Sequence, residues 1–181
     1  MSLEKFYINK DISIAKTIPS DYYLEDAYFN LTLKNIFQKS WQFIIDTNQV
    51  SNTIYPFNFL EYSINEPLIL INKSDKILCL SNVCTHRGNL LCVKRKNQDS
   101  IKCSYHGRTF DLMGKVKSFP GFENVKNFPS KSDNLAKFQS FVWKNFIFSS
   151  IKKPIYNFNG IFKDIENRLN WYPFEKLEYN K

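Results

Sequence analysis

Short runs in which apolar and polar residues alternate fill the middle of the chain, a pattern typical of half-buried β-strands. Pro67–Asn72 and Lys76–Leu80 form one such pair, and the polar Lys73-Ser74-Asp75 between them predicts a hairpin. Phe138–Phe148 alternates on both sides of Lys144-Asn145 and predicts a second hairpin. Three briefer runs between the hairpins predict short strands: Ile101–Cys103, Thr109–Leu112 and Lys115–Ser118.

Both ends of the chain show helical spacing instead. Within Tyr28–Ile45 the first apolar residues repeat as on one face of a helix, and near Ser40 the pattern changes to that of a strand. Ile161–Leu169 also predicts a helix. The predicted fold class is therefore mainly β, with short helices at both ends. We divide the chain into an N-terminal helical and extended segment (residues 1–45), a β domain (46–155) and a helical C-terminal segment (156–181).

Composition and charge narrow the class of protein. A chain of 181 residues suits one domain with appendages, and 43% hydrophobic against 23% charged residues excludes a disordered chain. The formal net charge is +8, and lysine supplies nearly all of the positive charge. Arginine, the usual reader of phosphates and base edges, occurs only at Arg87, Arg95, Arg108 and Arg168. We therefore predict no nucleic-acid partner.

The sequence also lacks the features of a membrane or secreted protein. No run reaches the roughly 18 consecutive apolar residues that a membrane span needs, and Met1–Lys10 has no apolar signal-peptide core. We predict a cytoplasmic protein with no membrane contact. In a reducing compartment four cysteines favour metal binding or burial over a disulfide framework. They are Cys79, Cys84, Cys92 and Cys103.

The two histidines of the chain each follow a cysteine closely. The motifs are Cys84-Thr85-His86-Arg87-Gly88 and Cys103-Ser104-Tyr105-His106-Gly107. Together they predict a four-ligand metal site made of Cys84, His86, Cys103 and His106. A structural zinc ion takes the same donors. Each loop, however, supplies one sulfur and one nitrogen, which favours a two-iron cluster with two cysteines on one iron and two histidines on the other.

These motifs resemble those of the Rieske iron–sulfur family. Rieske domains of cytochrome bc complexes carry a further disulfide-bonded cysteine in each loop, where this chain has Asn89 and Tyr105, so that branch is excluded. The chain is instead similar to the N-terminal part of the large (alpha) subunit of ring-hydroxylating oxygenases, and the similarity extends from Tyr22-Tyr23 to Trp143–Phe148. The resemblance implies a Rieske-type antiparallel β-sandwich whose two loops hold one 2Fe-2S cluster.

The resemblance also implies a function, one-electron transfer. Electrons would come from a reductase or ferredoxin and pass to a catalytic oxygenase domain or neighbouring subunit, where an aromatic or related substrate is hydroxylated. Such a domain holds iron with two histidines and one carboxylate. The sequence has no further histidines, and residues 156–181 look like the connection to that domain, which is absent. We therefore expect this chain to be the part of an oxygenase through which electrons enter. We expect it to be unable to hydroxylate a substrate by itself. A stand-alone Rieske ferredoxin and a zinc-holding structural module are the alternatives.

Other residues near the motifs have two interpretations each. We predict that Cys79 and Cys92 are buried in the core rather than serving as extra metal ligands. Lys94-Arg95-Lys96 predicts a solvated turn, or else a patch that attracts an acidic ferredoxin. Tyr105 either packs in the core or donates its hydroxyl to a ligand sulfur, and Arg108 stands where the family often has Trp. Because imidazole ligands lie at the reducible iron, we expect the midpoint potential to vary with pH.

Overall fold

Antiparallel strands make up most of the regular structure in the computed structural model, which describes residues 6–73 and 76–177. The strands are β1 (Gln42–Asp46), β2 (Ile54–Phe59), β3 (Glu66–Lys73), β4 (Lys76–Ser81), β5 (Ser100–Lys102), β6 (Thr109–Asp111), β7 (Val116–Ser118), β8 (Lys137–Trp143) and β9 (Phe146–Ser150). The α-helices are α1 (Asp21–Leu24), α2 (Asp26–Asn35) and α3 (Phe158–Leu169), and 3-10 turns cover Phe37–Lys39, Thr47–Val50, Lys131–Asp133 and Phe174–Lys176. No helix in the described ranges is long and apolar enough to cross a membrane.

The strands form two sheets. Six of them lie in the order β1-β9-β8-β4-β3-β2, and the other three in the order β5-β6-β7, with antiparallel pairing throughout. Both predicted hairpins are present as β3 with β4 and β8 with β9. The Ser74-Asp75 part of the first predicted turn lies outside the described residues. The predicted mainly β, antiparallel fold with short helices at both ends is confirmed.

Strand β2 is a strand that the sequence pattern did not predict. It contains Pro56, which has no N–H to donate to a neighbouring strand. Proline is tolerated in a sheet mainly on edge strands. Strand β2 is the last strand of the six-stranded sheet, where it pairs with β3, so an edge accommodates the proline.

Strand β3 separates two apolar cores. Its residues Leu68–Ile71 are each at most 1% exposed, and successive side chains of a strand point to opposite faces. Leu68 and Leu70 belong to one core, together with Val50, Phe59, Cys79, Ile45 and Ile147. Ile69 and Ile71 belong to the other, together with Ile54, Leu80, Cys84, Leu91, Cys92, Ile101, Cys103, Phe110 and Leu135. The second core therefore includes the cysteines of both predicted metal loops.

The helical ends lie near their predicted positions. Helix α2 ends at Asn35 and β1 starts at Gln42, which confirms the change of pattern near Ser40. Helix α3 begins ahead of the predicted Ile161, because the Asn157 side chain accepts the Asn159 N–H and caps the helix earlier. The helix covers β8 and β9 through an aromatic cluster of Trp41, Phe141, Phe148, Phe158 and Phe162.

Candidate metal centre

The two cysteine–histidine motifs fold into loops with the same backbone plan. The first loop follows β4, and the second connects β5 to β6. In each, the glycine N–H donates to the cysteine carbonyl, at 3.0 Å for Gly88 to Cys84 and 3.1 Å for Gly107 to Cys103. The glycines have φ values of 70° and 75°, a region that residues with a Cβ rarely adopt. The equal spacing from cysteine to glycine therefore produces equivalent turns.

The loops bring like ligands together. Cys84 and Cys103 lie in the same buried cluster, and each sulfur shifts the pKa of the other. The ring centroids of His86 and His106 are 4.8 Å apart, with an interplanar angle of 64°. Both cysteines are 2% exposed, whereas His86 is half-buried and His106 is exposed. The sulfur pair therefore lies in the core, and the imidazole pair lies at the surface.

This separation fits a two-iron cluster of the Rieske type. In such a cluster two cysteines bind one iron and two histidines bind the other, whereas a structural zinc ion needs four donors around one point. Across residues 6–73 and 76–177, no three His, Cys, Asp or Glu side chains surround a single ion position. The pairing of sulfur with sulfur and of imidazole with imidazole matches the two ligand pairs of a Rieske-type cluster.

The surroundings of Cys84, Cys103 and His86 favour their metal-binding forms unequally. Burial raises the pKa of Cys84. At Cys103 hydrogen bonds to the sulfur outweigh desolvation, so its pKa is lowered toward the thiolate that binds metal. Desolvation, followed by the neighbouring cations, lowers the pKa of His86 and favours the neutral imidazole that binds metals. The groups that donate to the Cys103 sulfur are the N–H groups of Tyr105 and His106, the Cys84 thiol and the Asn89 side chain.

Asn89 and Tyr105 occupy the positions of the disulfide-bonded cysteines that cytochrome bc Rieske domains carry. In this chain the two residues have different roles. Asn89 Nδ2 lies 3.6 Å from the Cys103 sulfur, so it links the first loop to the second. Tyr105 is 59% exposed, and its ring centroid lies 3.7 Å from that of His106. Of the two interpretations of Tyr105, packing in the core is wrong, because its side chain covers an exposed imidazole instead. Its backbone N–H donates to Cys103.

A third segment, residues 119–133, closes the side of the site. The Phe122 ring lies edge-on to the His86 ring, with centroids 5.4 Å apart. The Thr85 hydroxyl donates to the Asp133 carbonyl at 2.6 Å, across 48 residues of sequence. The motifs did not indicate Asp133, and the local pattern that could have found it is its capping box with Ser130.

The remaining cysteines and the basic run are not part of the proposed ligand set. Cys79 and Cys92 are buried core thiols, and burial raises the pKa of Cys79 to about 12. Arg95 stacks over the Tyr55 ring at 4.6 Å and donates to Gln49 at 3.0 Å. Its guanidinium thus has structural partners although Arg95 is exposed, and Lys94 is exposed as well.

Comparison with known proteins identifies the class that the loops and sheets define. Residues 40–129 match the Rieske [2Fe-2S] domain family. The chain carries a Rieske iron–sulfur domain, whose cofactor is one Rieske-type 2Fe-2S cluster. More narrowly, it resembles the N-terminal part of the large subunits of Rieske oxygenases. The division at residues 45 and 155 stays a prediction.

Two of the similar proteins are oxygenase subunits. The carnitine monooxygenase oxygenase subunit of Escherichia coli K12 is 32% identical over 136 residues, which cover 74% of this chain and 36% of the relative. The 2-halobenzoate 1,2-dioxygenase large subunit of Burkholderia cepacia is 29% identical over 140 residues, covering 72% and 29%. The chain thus spans about a third of the length of these curated relatives.

Solved structures share the fold. The quaternary ammonium Rieske monooxygenase in complex with L-carnitine superposes with a TM-score of 0.85 at 21% identity, covering 99% of this chain and 52% of that one. Naphthalene 1,2-dioxygenase from Rhodococcus sp. gives a TM-score of 0.69 at 22% identity, covering 81% and 34%. At these identities the similarity supports the Rieske fold.

Proposed function

We propose that this chain transfers single electrons through its Rieske cluster and is the part through which electrons enter a Rieske oxygenase. The observation that carries the proposal is the separation of the ligand pairs, with thiols in the core and imidazoles at the surface. A partner protein that docks on the exposed side would meet the imidazole ligands first.

The proposed ligands have distinct tasks. Cys84 and Cys103 would hold one iron, and His86 and His106 would hold the other. When bound, a cluster of this kind takes up and releases one electron at a time. The apolar core keeps water from the thiol side, and Asn89 Nδ2 donates toward the Cys103 sulfur. Such hydrogen bonds stabilise negative charge on the sulfur ligands.

The proposed partners follow from the oxygenase relatives. A reductase or ferredoxin would supply the electron, and a catalytic oxygenase domain or neighbouring subunit would accept it. Both histidines of the 181 residues are used in the proposed cluster site, so a two-histidine, one-carboxylate iron site needs ligands from outside these residues. The chain is then an electron-transfer part of an oxygenase and does not hydroxylate by itself.

The substrate class is proposed at the level of Rieske oxygenation. The sequence resemblance led to aromatic ring hydroxylation, and the 2-halobenzoate dioxygenase supports it. Other relatives are named for carnitine and choline, which are not aromatic. We therefore extend the proposed substrates to quaternary ammonium compounds, and treat ring hydroxylation as one of two candidates.

Reconstitution with iron and sulfide tests the proposal. After chemical reduction, the chain should give the paramagnetic spectrum of a 2Fe-2S cluster with mixed cysteine and histidine ligands, which differs from that of an all-cysteine cluster. Cys84→Ser and His106→Ala should lose this spectrum. Cys92→Ser is the matched control, because that thiol donates to the Lys94 carbonyl at 3.1 Å and a hydroxyl can do the same.

Two results would contradict the proposal. One is tight binding of a single zinc ion with no reducible centre after reconstitution, which would make the chain a structural module. The other is an unchanged spectrum in His106→Ala, which would remove the exposed imidazole from the ligand set.

A further inference from the structure

A buried positive charge lies beside the proposed cluster site. Arg108 follows the second cluster loop, and only 4% of its surface is exposed. Its backbone carbonyl accepts the Cys103 N–H at 2.8 Å, which ties its position to a proposed ligand. Burying a guanidinium costs free energy unless hydrogen bonds or an opposite charge compensate it. The contacts of Arg108 therefore indicate the role of its charge.

The guanidinium joins three segments of the chain. Its Nη1 donates to the Thr85 hydroxyl at 3.0 Å, inside the first cluster loop between Cys84 and His86. The same hydroxyl donates to the Asp133 carbonyl at 2.6 Å. Arg108, from the end of the second loop, therefore holds the first loop and the 3-10 turn at residues 131–133 in one hydrogen-bonded chain.

Aromatic rings shield this charge from water. The Arg108 Cζ lies 5.0 Å from the Phe128 ring centroid and 5.6 Å from that of Phe122. Phe122 in turn lies against the His86 ring. Because screening is weaker where water is excluded, the charge acts on the site more strongly than a surface cation would.

Asp133 compensates this charge only in part. Its Oδ1 is 3.6 Å from Arg108 Nη1. Its Oδ2 accepts from the Ser130 N–H and hydroxyl, both at 2.8 Å. The carboxylate is 21% exposed against 5% for the arginine side chain, so water screens the negative charge more than the positive one.

We propose that Arg108 is a positioning residue that clamps the two cluster loops together, and that its charge raises the reduction potential of the cluster while Asp133 lowers it. The inference rests on the ligand set proposed above. Reduction adds one electron, which a chemical reductant supplies. A fixed positive charge nearby stabilises the added negative charge, and net charge is one of the factors that set cluster potentials.

Redox titration of the reconstituted chain tests this proposal with two variants that remove opposite charges. Arg108→Gln should shift the midpoint potential to a more negative value, and Asp133→Asn should shift it to a more positive value. Both variants should lower the melting temperature, because each loses the ion pair between Arg108 and Asp133. If Arg108 and Asp133 had only a structural role, the two variants would not shift the midpoint potential in opposite directions while both lower the melting temperature.

Further variants separate the charge from the clamp. Arg108→Lys keeps the charge but loses the planar fork, so its potential should stay near the wild-type value while its melting temperature falls. Arg168→Gln, an exposed arginine of α3, is the control for removing a positive charge elsewhere and should leave the potential unchanged.

The outcomes distinguish this inference from the proposed function. If the wild-type chain gives no Rieske spectrum, the ligand set is wrong and the inference falls with it. If the spectrum is present but Arg108→Gln and Asp133→Asn shift the potential in the same direction, or leave it unchanged, only the inference is overturned. If Arg108→Gln does not fold, the Asp133→Asn and Arg108→Lys titrations still decide it.

Discussion

At the scale of single residues, the hydrogen bond from Asn89 to the Cys103 sulfur sets a first prediction. Asn89→Ala should lower the midpoint potential, because a donor that stabilises negative charge on the sulfur is lost. Redox titration of the reconstituted chain measures the shift. Ser104→Ala is the control. Ser104 Oγ accepts a hydrogen bond from the same Asn89 amide at 3.4 Å, and this bond does not involve the Cys103 sulfur. Equal shifts in the two variants would contradict the prediction.

Asp133 gives a second residue-level prediction, on acid stability. Hydrogen bonds from the Ser130 backbone, and then its side chain and Arg108, lower the pKa of Asp133 below the ordinary 3.8. A carboxylate with a lowered folded pKa stabilises the protein above its unfolded pKa, and that stabilisation disappears as the pH falls through the folded pKa. Asp133→Asn should therefore lower the free energy of unfolding by about 1 kcal/mol at pH 7.

The pH dependence is the decisive part of that measurement. The difference between wild type and Asp133→Asn should shrink below pH 3.8 and vanish once Asp133 is protonated in the folded protein. Urea unfolding at several pH values gives both free energies. Asp99→Asn changes an exposed carboxylate and should leave the free energy unchanged. A difference that persists undiminished in acid would mean that the carboxylate charge is not its source.

At the scale of elements, two glycines should respond in opposite directions to the same substitution. Gly114 has a φ of 80°, and an added Cβ would lie 3.2 Å from Leu135 Cβ and 3.3 Å from Leu80 Cδ1. Gly114→Ala should destabilise the fold by about 1–3 kcal/mol through backbone strain and crowding. Gly160 lies in α3 with nothing within 4 Å of an added Cβ, so Gly160→Ala should stabilise it by about 0.5–1 kcal/mol.

Thermal unfolding of both variants checks this pair. The change of residue is identical, so any general effect of a methyl group cancels in the comparison. A stabilised Gly114→Ala would show that the turn between β6 and β7 does not need its left-handed conformation.

The elements that could be predicted from the sequence are those specified by residues close together in the chain. The β3–β4 and β8–β9 hairpins follow from alternation over adjacent residues, and the ligand motifs lie within five residues each. The pairing of β1 with β9 joins residues about a hundred positions apart, and nothing in either strand specifies the partner. Strand β2 was missed because a proline is acceptable only once an edge position is known.

The candidate site divides in the same way. Spacing within each loop predicted four ligands and a two-iron cluster, and the structure brings those side chains together as two like pairs. The contacts of Asn89 with Cys103 and of Thr85 with Asp133 depend on how separate segments pack. Sequence spacing carries no information about such contacts, so the environment of the ligands could be described only from the folded chain.

At the scale of the whole molecule, the net charge of +8 should affect the encounter with an electron donor. Long-range attraction to an acidic ferredoxin weakens with salt, because the Debye length falls from about 30 Å at 0.01 M to about 8 Å at 0.15 M. We expect the second-order rate constant for reduction by such a donor to fall by about 10-fold or more over this range. Stopped-flow measurement of the reconstituted chain gives the rate.

The position of the charge, as well as its sum, decides whether this attraction is directed. Lys94 is exposed and follows the first cluster loop, whereas Lys163 is exposed on α3. If the donor approaches the imidazole side, Lys94→Gln should slow reduction at low salt more than Lys163→Gln, although both variants have the same net charge. Equal effects would mean that only the total charge matters, and a rate independent of salt would exclude an acidic donor for this face.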